Sequence, residues 1–569
     1  MPTPDQDQLA DRQPQADHEK HHTLALNPLI GLGARDVVDA AKTVFEASVR
    51  HPQIAVSQWL SFFAGLANIA TNTAEDRPIE PGDKRFADPA WKTSPLHHKI
   101  LQSYFAWADA VSAYVEKVDL NERDRVRARL VAGILVDALA PTNALFGNPA
   151  ALKKIVDTGG ESLWAGVKNY VADLVKNGGL PSQVDTRPFK VGVNLATTPG
   201  AVVHRDERYE LIQYQPTTPE VWRRPIVVVP PQINKFYSLD LSPEKSLIRF
   251  LLSQGLQVFC ISWRNPKKEH RDWGLDNYVD SIAAAVEAAR KITGSEDVSM
   301  MGACSGGITA CAYAAREAGR GRLPVRSVTL LVCTLDPSTV EETPLGSLIT
   351  PLTLEAARQH SREKGLLDGR ELQRVFAWMR PNDLIWNYWV SNYLMGNAPP
   401  AFDILYWNND STSLPARLHS DFLDLITVNP FHNPGVMELS GTPIDIGKVN
   451  VDAFVVSGVT DHITPWKSVY QTARLLGGAT SFVLSNAGHL QSLLNPPGNP
   501  KATYGFGVAK FADPDAFAAA AEKRAGSWWI QWGEWLAERS GEKVPAPAAL
   551  GDEAFPPREA APGSYVFNA

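Results

Sequence analysis

Residues 298–307 read VSMMGACSGG, and this stretch carries the strongest structural signal in the chain. A short apolar run ends at Met301 and is followed by Gly302, Cys304 and Gly306. Small residues two positions before and after a nucleophile permit the strained strand-to-helix turn called a nucleophile elbow. Such a turn aims a helix N-terminus at the nucleophile, where the helix dipole and the next backbone N–H favour a thiolate and then an oxyanion. We therefore predict that Cys304 is a nucleophile and that the N–H of Ser305 is an oxyanion donor.

Two other interpretations of this stretch stay open at the level of sequence. If Ser305 were the nucleophile, its flanking small residues would be Ala303 and Gly307, which is a looser variant of the same motif. Alternatively, Cys304 could be a buried structural cysteine beside a glycine-rich turn.

The flanking sequence predicts a parallel sheet interrupted by a long insertion. Apolar, β-branched runs occur at Ile226–Val229, Val258–Trp263, 298–301 and 328–332. Strands spaced about 30 to 40 residues apart, with a helix between them, indicate βαβ crossovers. The next candidate strands, 453–457 and 481–484, come only after residues 334–450. An excursion of that length predicts a cap domain over the carboxyl edge of the sheet.

Each of the last two predicted strands is followed by a polar residue that could take part in catalysis. Asp461 comes just after 453–457, and His489 comes just after 481–484. Nucleophile, acid and histidine, in that order and each past a strand end, predict an α/β-hydrolase fold with His489 as base and Asp461 fixing its tautomer. The plainer interpretation makes Asp461 a helix N-cap and His489 a loop residue. A second oxyanion donor should come from the loop after Ile226–Val229, as the backbone N–H of Ile233 or Asn234.

The remaining sequence divides into four parts. We predict a disordered N-terminus at 1–23, a helical N-terminal domain at 24–186, a catalytic domain at 187–540 containing the cap, and an extended tail at 541–569. Near the end of the catalytic domain four tryptophans follow helical spacing. This pattern predicts that the four side chains pack in the core and do not form an apolar ligand platform. They are Trp528, Trp529, Trp532 and Trp535.

Composition excludes several classes of function. The net charge is −7 and no basic block stands out, so we expect no nucleic-acid partner. Four cysteines without a CxxC pair indicate neither a disulfide framework nor a zinc site, and we expect no metal or cofactor. No apolar window reaches 18 residues and no secretory signal appears, which predicts a cytoplasmic protein without a transmembrane segment.

Beyond these local patterns, longer motifs resemble the polyhydroxyalkanoate synthases. The matching stretches are GACSGG from Gly302, VVPPQINKFYSLDLSPEKS from Val228, the aromatic, amide-rich stretch 380–410, GVTDHITPW from Gly458, and NAGHLQSLLNPPGNPK from Asn486. The resemblance runs from about residue 27 to the tail. GACSGG, PPQINKFY, SWWIQW and WLAERSG most resemble class II, the medium-chain enzymes.

The resemblance implies a polyester polymerase that transfers (R)-3-hydroxyacyl groups from CoA thioesters and releases CoA. It makes Cys304 the acyl carrier, Asp461 the acid and His489 the base. It also implies that the cap controls substrate access and takes part in dimer contacts, with Trp407 near the pocket. The N-terminal region is implied to contact the polymer granule and granule-associated proteins, at a cytoplasmic granule surface.

Two rival functions fit parts of the same sequence. A thioesterase or polyester depolymerase would use the same triad with water as acceptor, although serine is the commoner nucleophile for that work. A granule-coating structural protein would suit the tryptophan content, but it would leave the triad pattern unexplained.

Overall fold

The computed structural model describes residues 52–338 and 349–568, together with Lys42, Glu46, Val49 and Arg50. The predicted disordered segment 1–23 lies outside the described residues. The chain divides into two compact units. The first is Met1–Thr186, Glu341–Ala356 and Arg374–Leu405, and the second is Arg187–Val340, Ala357–Gln373 and Tyr406–Ala569.

The described part of the first unit is helical, as the sequence predicts for the N-terminal region. Its helices from the N-terminal part of the chain are α1 Pro52–Ala70, α2 Ala90–Thr93, α3 Pro95–Lys117, α4 Glu122–Ala138, α5 Pro149–Asp157 and α6 Glu161–Asn177. Side-chain caps start three of them: Ser94 accepts the N–H of His97 at 3.5 Å, Asn121 accepts that of Asp124 at 2.9 Å, and Asn148 accepts that of Ala151 at 3.1 Å. An aromatic cluster around Trp91, which is 1% exposed, forms one core of the unit.

Part of the predicted cap belongs to this helical unit. Two π-helical stretches of the insertion pack against its helices: Asn382–Trp386 contacts α4, and Trp389–Leu394 contacts α6. The hydroxyl of Tyr393 donates to Asp173 at 2.8 Å, and a side chain at Gly166 would collide with the backbone of Tyr393. The predicted boundaries 334–450 therefore describe a chain insertion whose residues are shared between the two units.

The second unit is built on one large mixed sheet. Within the described residues it has eleven strands: β1 Gly200–Arg205, β2 Tyr209–Tyr214, β3 Ile226–Val229, β4 Val258–Trp263, β5 Val298–Ala303, β6 Val325–Leu331, β7 Asp452–Gly458, β8 Thr480–Ser485, β9 Thr503–Val508, β10 Glu522–Ala525 and β11 Glu559–Ala560. Their order across the sheet is β10-β9-β8-β7-β6-β5-β3-β4-β2-β1-β11. Strands β3 to β8 pair in parallel, whereas the flanking strands pair antiparallel. All carboxyl ends of the parallel strands thus meet at one edge.

The described chain from residue 187 onwards also contains helices and two-stranded pairs, some of which lie in the insertion. The helices are α7 Leu247–Ser253, α8 Leu275–Thr293, α9 Ser305–Gly319, α10 Pro351–Lys364, α11 Gly369–Met379, α12 Asp403–Asn409, α13 Ala416–Val428, α14 Trp466–Leu475, α15 His489–Leu493, α16 Pro514–Ala520 and α17 Trp528–Ala537. The two-stranded pairs are Glu220–Trp222 with Lys543–Pro545, Leu366–Leu367 with Leu414–Pro415, and Glu438–Leu439 with Thr442–Pro443. Helices α10 to α13 lie in the insertion between β6 and β7. No helix among the described residues is both long and apolar enough to cross a membrane.

The predicted α/β architecture is confirmed, and two strands have their predicted bounds. Strands β3 and β4 match residue for residue because both are fully buried, β-branched-rich runs. The antiparallel strands on both flanks were missed. Strand β9 contains Gly505 and Gly507, and β10 reads EKRA, so neither has the apolar run from which strands were predicted.

The segment from Gly541, predicted as an extended tail, is irregular over much of its length but lies against the sheet. Strand β11 pairs with β1, and Glu210 holds the residues that follow. The carboxylate of Glu210 is fully buried and accepts the N–H groups of Ser564 and Tyr565 at 3.0 and 2.9 Å. A buried charge needs such donors, and Arg205 also pairs with it, at 2.5 Å. The tail therefore closes one edge of the sheet.

The four tryptophans of α17 are core residues, as predicted. Trp528, Trp529 and Trp532 are at most 1% exposed, and Trp535 is 6% exposed. Each of the first three donates its indole N–H within the fold, and Trp532 donates to the Thr329 hydroxyl on β6 at 2.9 Å. The stripe therefore attaches α17 to the sheet.

We predict that Trp532→Ala lowers the free energy of unfolding by about 3–5 kcal/mol, because it removes a fully buried aromatic side chain and its hydrogen bond. Urea unfolding followed by far-ultraviolet circular dichroism measures the loss. The matched control is Ile530→Ala on the same helix, where the side chain is 53% exposed and the expected change is small. Equal losses in the two variants would contradict the core assignment.

Candidate active site

The chain turns sharply at Cys304, between the end of β5 at Ala303 and the start of α9 at Ser305. Cys304 has φ +50° and ψ −124°, a conformation that costs a non-glycine residue energy and persists only when the surroundings enforce it. This is the geometry of the predicted elbow. It lifts the Cys304 side chain above the carboxyl edge of the sheet and leaves it partly accessible.

The glycines around Cys304 allow this turn to pack closely. A side chain at Gly306 would collide with the carbonyl oxygens of Val229 and Pro230, and one at Gly302 would lie 2.5 Å from the Cα of Gly307. The start of α9 is therefore pressed against the end of β3. This contact explains why the elbow requires small residues at these positions, and it brings Cys304 next to the loop that follows β3.

The predicted acid and base lie where the neighbouring strands end. Asp461 follows β7 and His489 starts α15 after β8. The Nδ1 of His489 lies 2.7 Å from Oδ2 of Asp461, and the His489 side chain also interacts electrostatically with the Cys304 side chain. Both residues are nearly buried, at 8% and 6% exposure. The structure thus brings together all three residues that the sequence predicts.

Thr464 belongs to the same constellation and was missed by the sequence reasoning. Its hydroxyl donates to Oδ2 of Asp461 at 2.8 Å and lies 3.2 Å from Nδ1 of His489. The other carboxylate oxygen, Oδ1, accepts the N–H groups of Ile463 and Thr464, each at 2.9 Å. One oxygen of Asp461 therefore holds its own turn, while the other faces the histidine. The plainer interpretation of Asp461 as a helix N-cap is wrong, because the N-cap of α14 is Pro465. The local sequence feature that could have pointed to Thr464 is the Thr464-Pro465 dipeptide directly before α14.

The electrostatics of the pair favour a charged histidine. Burial lowers the pKa of His489, but the Asp461 carboxylate and the contact with Cys304 outweigh it and raise the pKa to about 10. Burial likewise raises the pKa of Asp461, yet the charge of His489 and the donors of Thr464 hold it below its usual value. A histidine with a raised proton affinity, in contact with a thiol, is suited to accept the thiol proton.

The remaining cysteines are not candidates for chemistry. Cys260, Cys311 and Cys333 are buried, whereas Cys304 is partly accessible. Burial raises the pKa of the Cys311 thiol to about 12 and raises those of Cys260 and Cys333 well above their usual value. Among the described residues, no group of three or more His, Cys, Asp or Glu is placed to hold a metal ion.

Ser305 faces the loop after β3, residues 230–235, which we call the β3 loop. Its Oγ accepts the backbone N–H of Gln232 at 3.2 Å, so this N–H is already engaged. Ile233 and Asn234, the predicted donors, come next, and Asn234 has a positive φ of 66°. Ser305 is the first residue of α9, and a helix leaves its first N–H groups without intrahelical acceptors. The elbow and the β3 loop are therefore adjacent.

Trp407, which the resemblance places near the pocket, is 5% exposed and packs on the β3 loop. Its indole N–H donates to the backbone oxygen of Lys235 at 2.7 Å. Close to it in sequence, Asp410 contacts the Lys235 ammonium and the Tyr237 hydroxyl, at 2.7 and 2.8 Å. The sequence reasoning did not single out Asp410, because nothing local marks an aspartate that reaches across the fold.

Fold and site together define an α/β-hydrolase-fold protein with a cysteine, histidine and aspartate at the carboxyl edge of its sheet. A family model for the alpha/beta hydrolase fold matches residues 225–496, and a second, described as Poly-beta-hydroxybutyrate polymerase (PhaC) N-terminus, matches residues 82–251.

Similarity to three curated proteins shows the family to which the chain belongs. The chain is 49% identical to Poly(3-hydroxyalkanoate) polymerase 1 of Ectopseudomonas oleovorans, over 96% of this chain and 97% of that protein. It is 47% identical to polymerase 2 of the same organism, over 95% and 96% of the two chains. It is also 38% identical to the Cupriavidus necator polymerase subunit PhaC, over 85% and 83%. The chain therefore belongs to the poly(3-hydroxyalkanoate) polymerase family of transferases.

We predict that iodoacetamide alkylates Cys304 selectively in the native protein, because the other three thiols are buried and their raised pKa values disfavour thiolates. Peptide mass spectrometry measures the extent of labelling at each cysteine. The native Cys304→Ala variant should remain unlabelled, and all of its remaining cysteines should react after denaturation. Native labelling of Cys311 at a comparable rate would contradict this.

We predict that Thr464→Val slows the alkylation of Cys304 by about three- to tenfold at neutral pH, because the variant loses the hydroxyl that orients Asp461 towards His489. Thr464→Ser keeps the hydroxyl and should react at close to the unmodified rate. Labelling time courses at matched reagent concentration give both rates. The idea fails if valine and serine have the same effect.

Proposed function

We propose that this chain is a polyester polymerase that transfers (R)-3-hydroxyacyl groups from CoA thioesters to a growing polyhydroxyalkanoate chain, with Cys304 as the acyl carrier. The observation that carries the proposal is the partly accessible Cys304 on its strained turn, whose side chain interacts with His489 of the His489–Asp461 pair. Family membership supplies the reaction class, because the relatives are named as poly(3-hydroxyalkanoate) polymerases.

The first half-reaction exchanges one thioester for another. His489 takes the proton of the Cys304 thiol, and the thiolate attacks the acyl carbonyl carbon of the CoA thioester. The N–H of Ser305 and that of Ile233 or Asn234 stabilise the oxyanion, and the bond to the CoA sulfur then breaks. CoA leaves with the proton, and the acyl group stays on Cys304. Because the bond type is unchanged, this transfer is close to isoenergetic.

The second half-reaction forms the polyester bond. A 3-hydroxyl attacks the carbonyl of the acyl-cysteine and loses its proton to the His489–Asp461 pair, and the Cys304 sulfur is the leaving group. If water took the place of the hydroxyl, the product would be a free acid and the protein a thioesterase. A cap formed by the insertion would favour polymerisation, since excluding water from an acyl-enzyme prevents that side reaction.

Three further features complete the proposal. The medium-chain substrate class is supported by the 49% and 47% identities to the Ectopseudomonas oleovorans polymerases and by the class II motifs. We place the protein in the cytoplasm at the granule surface, with residues 24–186 contacting the granule and its associated proteins. In the same proposal the cap region, 334–450, controls substrate access and takes part in a homodimer.

The test is to incubate the purified full-length chain with (R)-3-hydroxyoctanoyl-CoA while following free thiol and acyl product. Release of CoA together with high-mass polyester is the expected result. Release of CoA with only 3-hydroxyoctanoate would replace the polymerase with a hydrolase. No thiol release from this substrate or its four-carbon analogue would overturn the proposal.

Variants at adjacent positions test which residue is the nucleophile. We predict that Cys304→Ala lowers CoA release at least 1000-fold, because it removes the acyl carrier, whereas Ser305→Ala keeps more than about a tenth of the activity. The second variant loses only a hydroxyl that accepts the Gln232 N–H. Initial rates of thiol release measure both, and equal losses would contradict the assignment of Cys304.

A further inference from the structure

The β3 loop adopts a backbone conformation that its own sequence does not favour. Asn234 has φ +66°, which a non-glycine residue adopts at a cost. Within residues 230–235 the chain forms no helix or strand, and a short 3₁₀ turn starts only at Phe236. The position of the N–H groups of Ile233 and Asn234 therefore depends on what contacts the loop from outside.

Contacts from the sheet side hold only the beginning of the loop. The indole of Trp263 donates to the backbone oxygen of Pro230 at 2.8 Å, and Ser305 accepts the N–H of Gln232 at 3.2 Å. The side-chain amide of Gln232 donates to the Thr309 hydroxyl at 3.1 Å. These hydrogen bonds join the loop to β4 and α9.

Contacts from residues 407–412 of the insertion, which we call the clamp segment, hold both sides of the Ile233–Asn234 pair. Before the pair, the Thr412 hydroxyl donates to the backbone oxygen of Gln232 at 2.7 Å. After the pair, the Trp407 indole donates to the oxygen of Lys235, also at 2.7 Å. Thr412 and Trp407 are 4% and 5% exposed, so water competes little for these bonds.

Asp410 is the charged centre of the clamp segment. Its two oxygens take different partners, the ammonium of Lys235 at 2.7 Å and the hydroxyl of Tyr237 at 2.8 Å. The Lys235 side chain is 9% exposed and Tyr237 is buried, while the Asp410 side chain is 26% exposed, so the pair is largely shielded from water on the lysine side. Removing the charge of Asp410 would leave a shielded ammonium without its counter-charge, and the loop would have to move to solvate it.

We propose that Asp410 is a positioning residue, which acts through Lys235 and Tyr237 to hold the β3 loop where its N–H groups can receive the oxyanion. The oxyanion hole is then complete only while the clamp segment of the insertion lies on the loop. This inference rests on the proposed acyl transfer at Cys304. By this inference the insertion helps to stabilise the transition state, in addition to controlling substrate access.

Two reactions of the same thiol separate this role from a general structural one. Transfer of an acyl group from a thioester develops an oxyanion, whereas alkylation by iodoacetamide is a direct displacement that develops none. Asp410→Asn should therefore slow single-turnover release of CoA from (R)-3-hydroxyoctanoyl-CoA at least tenfold and leave the alkylation rate of Cys304 within about twofold. In steady state the loss should appear in kcat more than in KM.

The matched control is Asp424→Asn on α13. Asp424 is also a carboxylate of the insertion in an ion pair, with Arg358 at 2.9 Å, but it belongs neither to the clamp segment nor to the β3 loop contacts. It should leave both rates close to those of the unmodified protein. Lys235→Met removes the other charge of the pair, and its effect should not add to that of Asp410→Asn if the two act as one unit.

Each outcome decides the proposal. Selective loss of acyl transfer in Asp410→Asn supports it, whereas unchanged acyl transfer, or equal loss of acyl transfer and alkylation, overturns it. If Asp410→Asn does not fold, Tyr237→Phe removes a single hydroxyl from the clamp and should show the same selectivity with a smaller loss. If the unmodified chain releases no CoA, the proposed function fails first, and that result is distinct from every outcome above.

Discussion

Cys304 occupies a region of backbone space that a side chain tolerates only under constraint, and the constraint is the contact between the start of α9 and the end of β3. Gly306 lies against the carbonyl oxygens of Val229 and Pro230 with no room for a side chain. The same contact that holds the cysteine above the sheet also brings it to the β3 loop. This one packing contact thus places both the proposed nucleophile and the predicted oxyanion donors.

Features of the site that depend on local sequence could be predicted. The elbow needs small residues within a few positions of Cys304, and these can be read directly from the sequence. Asp461 and His489 each follow a buried strand, so their place in the chain order nucleophile, acid, histidine can be read in the same way. Strands β3 and β4 were predicted at their observed bounds for the same reason, because continuous burial leaves a continuous apolar run.

Features that depend on distant contacts could not be predicted. Trp407 is 172 residues from Lys235 in the chain, and Asp410 is 173 residues from Tyr237, so no spacing rule connects them. The tail is a similar case, since Glu210 holds Tyr565 from 355 residues away. Thr464 combines both kinds of contact. Its contact with Asp461 is local in sequence, but its contact with His489 depends on the fold and could not be predicted.

The proton affinity of His489 links the two halves of the proposed reaction. Burial opposes its charge, and Asp461 and Cys304 together raise its pKa to about 10. In the first half-reaction this favours transfer of the thiol proton to the imidazole. Once Cys304 becomes a thioester, it can no longer act as a counter-charge to the imidazolium, so in the proposed reaction acylation weakens the hold of His489 on the proton that CoA carries away. Asp461, held by Thr464 and by its own turn, keeps the imidazole oriented for the second half-reaction.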